Sequence, residues 1–218
     1  MPDPRTRPPR HGVVAPAELV PGGGDDLLPG DRLEGRALGD LTIPGRALPD
    51  LAIEECTIDV LHADDADLAL LRLRDTTIEA LDAAVLRVPR STWRSVVVEQ
   101  GRVGSAEWYD STLDDVRIRG AKLGYVNLRA ATLHDVTFED CVIDEIDLGG
   151  VQAERVAFPG CRIHELTASG ARLRDVDLRE ADLAVVADAA QLRGVTLSES
   201  QAALLAASFA RALGVVVD

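Results

Sequence analysis

An apolar residue returns at every fifth position from Asp31 to about Leu183, and that rhythm constrains the fold more than any other feature. From Leu113 it runs through Ile118, Leu123, Leu128, Leu133, Phe138, Ile143 and Leu148, and two residues before each stands a second apolar or small residue. Five positions on an α-helix carry a side chain about 140° past a full turn, so such a row would wander around a helix without forming a stripe. A flat strand alternates faces with a period of two, so positions five apart would point to opposite sides. The remaining solution is a short extended piece with two inward residues, then a bend, repeated so that each bend turns the next pair toward one axis. The chain is expected to coil.

The bends carry suitable residues. Pro44-Gly45 and Pro159-Gly160 follow central residues and combine a preset φ with the residue that best tolerates φ > 0. Gly120, Gly150 and Gly170 hold the same last slot of the unit, as do Asp75, Asp110, Asp115, Asp135, Asp140 and Asp175. A ten-residue super-period lies two residues before each centre. Val116, Val126, Val136 and Ile146 alternate with the smaller Ser111, Ala121, Ala131 and Cys141, and Val151 breaks the series. Stacking like on like then requires an even number of walls. Four walls, about twenty residues per turn, put bulky slots on two opposite walls and small slots on the other two.

The units Ala171-Arg172-Leu173-Arg174-Asp175, Val176-Asp177-Leu178-Arg179-Glu180 and Ala181-Asp182-Leu183 resemble the A(D/N)LXX repeat of pentapeptide-repeat proteins. The resemblance implies an all-β solenoid, a right-handed quadrilateral β-helix of about seven to eight coils with a C-terminal capping α-helix. The early units are degenerate. Arg36 and Arg46 fall at inward slots, and the bulky and small slots change phase between Leu81 and Leu86.

The expected organisation is a flexible, Pro/Gly-rich tail over 1–30, the β-helix over 31–197, and a helix with a short strand over 198–218. Leu27 and Leu28 offer an alternative, a cover for the open first coil. Ser198 and Gln201 form a capping-box pattern for the last helix. Gly214 ends it, and Val215, Val216 and Val217 read as a closing strand. Leu204, Leu205, Phe209, Ala212 and Leu213 give the helix an apolar face, suited to a lid on the last coil, to a homodimer contact, or to both. Known members of the resembling family join end to end through their C-terminal segments.

Aromatic residues make up only 3% of the chain, which suits a tube too narrow for many rings. Trp93 and Trp108 lie on the central phase. They read either as marks of a distorted or outward-packed coil or as exposed anchors for a partner. Cys56, Cys141 and Cys161 hold inward slots. Cys141 and Cys161 would stack about 4.8 Å apart with parallel Cβ vectors, a poor geometry for a disulfide. They are expected as small buried thiols in a reducing, cytoplasmic setting. No stretch approaches the roughly twenty apolar residues that span a bilayer, so no membrane partner is expected.

Catalysis needs converging groups, and a regular tube spreads its polar residues outward. His134 and His164, thirty residues apart, belong on opposite walls; His62 is several coils away and His11 lies in the tail. No catalytic, cofactor or metal site is expected, and Gly22-Gly23-Gly24 lacks the context of a phosphate loop. The formal net charge of -14 disfavours direct nucleic-acid binding. The candidate interaction surface is therefore acidic. Asp115, Asp135 and Asp175 stack on one corner with Arg155 between, Glu145 and Glu165 on a second, and Asp140 and Glu180 on a third, all expected to face water. The resulting function is a rigid protein-interaction scaffold. The resemblance adds a second reading, a DNA mimic of the kind that occupies the DNA-binding saddle of gyrase, with a type II topoisomerase as protein partner.

Overall fold

Between the first and last strands, each strand stacks on the one twenty residues away. On one wall Thr92, Thr112, Thr132, Gln152 and Arg172 are successive partners in a parallel ladder, and the other walls repeat the same step. The structure is a computed structural model that describes residues 6–14, 19–24, 26–186 and 189–216. Every strand pairing among these residues is parallel, in one continuous sheet wound into a four-walled β-helix. The longest ladder climbs from Pro21 through Ala37, Thr57, Thr77, Val97, Arg117, Thr137, Ala157 and Asp177 to Thr196, ten rungs in all and slightly more than expected. The four walls are named below by Leu133, Phe138, Ile143 and Leu148, and the corners by Asp135, Asp140, Glu145 and Gly150.

The corners explain the spacing of Asp and Gly. Asp75, Asp110, Asp115, Asp135, Asp140 and Asp175 all have φ between 48° and 56°, and Gly120, Gly150, Gly160 and Gly170 lie between 56° and 69°. This left-handed region is open to glycine and, among other residues, easiest for Asp and Asn. Much of the corner acidity therefore follows from backbone geometry.

The lumen holds the central residues and the slots two before them in one apolar core. Phe138 and Phe158 stack with centroids 5.3 Å apart. Trp93 and Trp108 turn inward, correcting the expectation that they pack outward or stand exposed as anchors. Both are 1% exposed and meet edge to face at 5.0 Å. Their coil has lost bulk at neighbouring slots, where it carries Ser91, Gly101 and Ala106, and the indoles supply the missing volume. The phase change falls in the same region. Leu41, Leu61 and Leu81 line the Ile143 wall below it, and Gly101, Ala121, Cys141 and Cys161 continue that wall above. The three cysteines are buried and free, and burial pushes the Cys56 thiol up.

Both ends depart from the repeat. Leu27 closes the first coil from within the core, whereas Leu28 is exposed. Arg36 is exposed despite its inward slot. Arg46 is half-buried and donates to the carbonyls of Gly24 and Leu27, holding this plug in place. At the other end the final step shortens to nineteen residues, Val176 pairing with Val195. Gly194 permits it, because with φ 89° a Cβ there would lie 1.9 Å from the Leu173 carbonyl oxygen. The capping box at Ser198 and Gln201 forms, and two short helices follow, Glu199–Leu204 and Ala206–Ala212. Gly214 adopts φ 75°. Val215 and Val216 form no strand, correcting the expected closing strand. The Val215 N–H is spent on the Ala210 carbonyl at 2.8 Å and that of Gly214 on Arg211 at 2.9 Å, a Schellman ending. Val217, like the register slip placed near Asp188, lies outside the described residues.

Candidate functional site

The expected acidic residues fall on three different corners. Glu145 and Glu165 are register partners at the Glu145 corner, and both are half-buried. Asp140 and Glu180 are exposed at the Asp140 corner. The Asp135 corner carries Asp115, Asp135 and Asp175, and there a polar cluster forms.

Asp135 is the centre of that cluster. The sequence places it in water, whereas it is only 6% exposed, as is Arg155 one coil above. Arg155 Nε and Nη2 reach the two Asp135 oxygens at 2.6 and 2.8 Å, a bidentate pair. Burial opposes ionisation of Asp135, but the Arg155 guanidinium and the Arg10 N–H outweigh it and hold its carboxyl below the usual range. At Asp175 burial is likewise outweighed, by the Arg7 side chain and N–H, so that carboxyl is also lowered.

Residues of the expected tail complete the cluster. Arg7 bonds Asp175 through its backbone N–H at 3.2 Å and its Nε at 2.8 Å. The Arg10 N–H donates to Asp135 at 2.8 Å, and His11 places its two ring nitrogens 2.8 Å from Asp115 and 2.8 Å from Thr137. The Gly12 N–H donates to Asp115 at 3.1 Å, and Arg117 returns a bond to the Gly12 carbonyl at 3.0 Å. No periodicity marks residues 6–12, so the sequence reading missed them. The available signal was the pairing of two arginines and a histidine near the start with an acidic row.

A second pattern was legible and overlooked. Opposite charges recur twenty residues apart and meet across neighbouring coils: Glu54 with Arg74, Glu99 with Arg119, Arg119 with Glu139, and Glu154 with Arg174. The Arg74 guanidinium holds the Glu54 carboxyl below the usual range, against a smaller opposing effect of burial. The negative net charge thus coexists with rows of compensated pairs.

Asp114, His134 and Asp135 bring one possible metal ligand each within 4.8 Å of one another, a convergence not expected from the histidine spacing. Arg155 stands against both Asp135 and His134, so a guanidinium holds the space a cation would need. His164 sits beside Ile163 on the opposite wall. Shallow hollows line the walls, one of about 370 Å³ over Ala84, Gly104 and Gly124, with Arg102 and Lys122 at its edge. At the C-terminal cap, Leu205 and Phe209 pack on the core, whereas Leu204, Ala212 and Leu213 are exposed. The expected apolar face is therefore split between a lid and open surface. Gln201 and Gln191 bond the main chain of the last regular coil, Gln201 to the carbonyls of Leu178 and Ala181 and Gln191 to the Ala168 N–H, satisfying groups of its open edge.

Residues 111–150 match the family model for pentapeptide repeats in eight copies. That stretch of the chain consists of pentapeptide repeats. Among solved structures the chain is similar to a trypsin-treated form of QnrB1, a plasmid-mediated fluoroquinolone resistance protein. The identity is 17%, the match covers 88% of this chain and 92% of that one, and the TM-score is 0.54, a likeness of fold. It also matches HetL, a pentapeptide repeat protein involved in heterocyst differentiation regulation from the cyanobacterium Nostoc sp. strain PCC 7120. There the identity is 16%, the coverage 76% and 87%, and the TM-score 0.30. No curated protein matches the chain. No helix among the described residues is long and apolar enough to cross a membrane.

Proposed function

We propose that this chain is a non-catalytic scaffold, a rigid rod whose charged corners engage a protein partner. The observation that carries the reading is the outward, rung-by-rung placement of its ionisable groups, many of them spent in ion pairs across coils rather than converging on a cleft. The exposed carboxylates of Asp140 and Glu180 are available to such a partner. The test is affinity capture with the intact chain and with an Asp140→Lys, Glu180→Lys double variant. A partner held by the first and lost by the second is the expected result. Identical protein profiles from both would sink the reading for this corner.

A second reading, a DNA mimic that binds a type II topoisomerase, is favoured by the net charge of -14 carried on a rod. It ranks below the first because the Asp135 corner, its best row of phosphate-like charge, is neutralised by Arg155 and covered by residues 7–12. Gyrase supercoiling is measured with and without the purified protein, in low and moderate salt, with and without a fluoroquinolone. Absence of both inhibition and protection removes this reading. In either reading a homodimer through the C-terminal segment would cover Leu204 and Leu213, and sedimentation of a Leu204→Glu, Leu213→Glu variant against the unmodified chain tests it.

A further inference from the structure

The chain's own N-terminal segment lies along the Asp135 corner in the manner of a bound peptide. Thr6 meets Thr196 near the C-terminal end of the rod, Arg7 meets Asp175, Arg10 meets Asp135, and His11 and Gly12 meet Asp115. The fit is between main chain and rungs. Three backbone N–H groups, those of Arg7, Arg10 and Gly12, donate to three corner carboxylates. Three extended residues rise about 9 to 10 Å, the height of two rungs at about 4.8 Å each.

The rung passed over between Asp175 and Asp135 is Arg155, which offers no acceptor, and the residues that pass it are Pro8 and Pro9, which have no N–H to donate. Donors and acceptors are therefore matched even in their gaps. Side chains add selectivity. Arg7 lies between Asp175 and Glu154, at 2.7 and 3.5 Å, and His11 bridges Asp115 and Thr137. The two prolines hold an extended form before binding, so less entropy is lost on docking.

We propose that the Asp135 corner is a receptor groove for an extended, proline-stiffened cationic peptide. Residues 6–12 occupy it in cis as an internal strap, and a segment of the same chemistry on a partner protein occupies it in trans when the strap is displaced. The proposal rests on the scaffold reading and names the partner's chemistry. Chain length favours cis occupancy over exchange with a second copy. The Val20 N–H donates to Gly35 on this same corner, four rungs or about 19 Å from Asp115. The eight residues from Gly12 to Val20 reach about 26 Å. Tethering gives the strap a high effective concentration, so a modest contact remains formed until a stronger competitor or a loss of strap charge opens the groove.

The test uses the full chain and a fluorescein-labelled peptide of residues 5–14, followed by anisotropy. An Arg7→Glu, His11→Glu variant sets like charges against Asp175 and Asp115 and is expected to bind the peptide at least tenfold more tightly than the unmodified chain. Adding Asp175→Asn to that variant should weaken binding again by about tenfold. Trypsin cleavage after Arg10 should be faster in the double variant than in the unmodified chain. Failure of the double variant to bind the peptide, indifference of binding to Asp175→Asn, or equal cleavage rates would each overturn the proposal. A dimer of the unmodified chain that dissolves in the double variant would show the strap to belong to a second copy, which also overturns cis occupancy. The capture experiment at Asp140 and Glu180 uses another corner, so its outcome stands whatever the peptide does.

Discussion

The Asp135 and Asp140 corners use the same residue in the same left-handed conformation, with φ of 54° and 53°, yet their carboxylates have opposite fates. At the Asp140 corner the neighbouring rungs are Gly120 and Gly160, and Asp140 stays exposed. At the Asp135 corner the next rung is Arg155, and the strap lies over both, so Asp135 is buried and paired. The difference separates two causes that a sequence merges. Backbone geometry selects Asp for a corner, and the stacked neighbour twenty residues away decides whether its charge reaches the solvent. Counting acidic residues therefore overstates the usable surface of this rod.

Four experiments press on the comparison. The largest effect is expected beneath the corners, where both share one core. Leu133→Asp and Ile143→Asp place an unpaired charge in the lumen and should each abolish the cooperative melt in circular dichroism, since neighbouring coils depend on each other. If either variant melts like the parent, the assignment of inside and outside is wrong.

Next comes the matched pair Asp135→Asn and Asp140→Asn, which keeps shape and left-handed preference and removes only charge. Loss of the Asp135 charge breaks the bidentate pair and leaves the buried Arg155 with Glu154 alone as counter-charge, which should cost on the order of 3 kcal/mol in denaturant unfolding. The Asp140 change should stay within about 0.5 kcal/mol. Equal costs would mean that the two corners do not differ as described.

Acidification gives a smaller and reversible effect. The folded-state pKa values of Asp135 and Asp175 are lowered, so their stabilising contribution is present above the unfolded value of about 4 and is lost as pH falls through the lowered values. The Arg7 and Arg10 amide resonances, whose N–H groups donate to Asp175 and Asp135, should therefore shift toward their free positions as pH falls through those lowered values. A resonance that keeps its bound position throughout that range would contradict the linkage. The smallest effect is expected for Arg7→Ala, whose exposed ion pairs contribute less than about 1 kcal/mol. Global stability should hardly change while the strap loosens, as read from faster trypsin cleavage after Arg10.

Much of the fold was legible because a solenoid writes its geometry into one short period. The inward slots of Leu113 to Leu148, the Asp and Gly corners, the free stacked cysteines and the capping box at Ser198 all follow from spacing and local conformational preference. Other features depended on volume or on long-range partners. Trp93 and Trp108 face inward because small residues in the same coil make room, a fact visible only once Gly101 and Ala106 share their lumen. Val215 leaves the expected strand because its N–H is consumed by the preceding helix.

By itself the amino-acid sequence determined the coil, its twenty-residue turn and the identity of its corners, since each rests on periodicity and on φ preferences that act within a few residues. Only the tertiary structure decided which carboxylates remain free. That outcome depends on the stacked neighbour one coil away, Arg155 at Asp135, and on contacts between residues more than a hundred positions apart, Arg7 with Asp175 and Arg10 with Asp135, and no rule acting within a few residues records them.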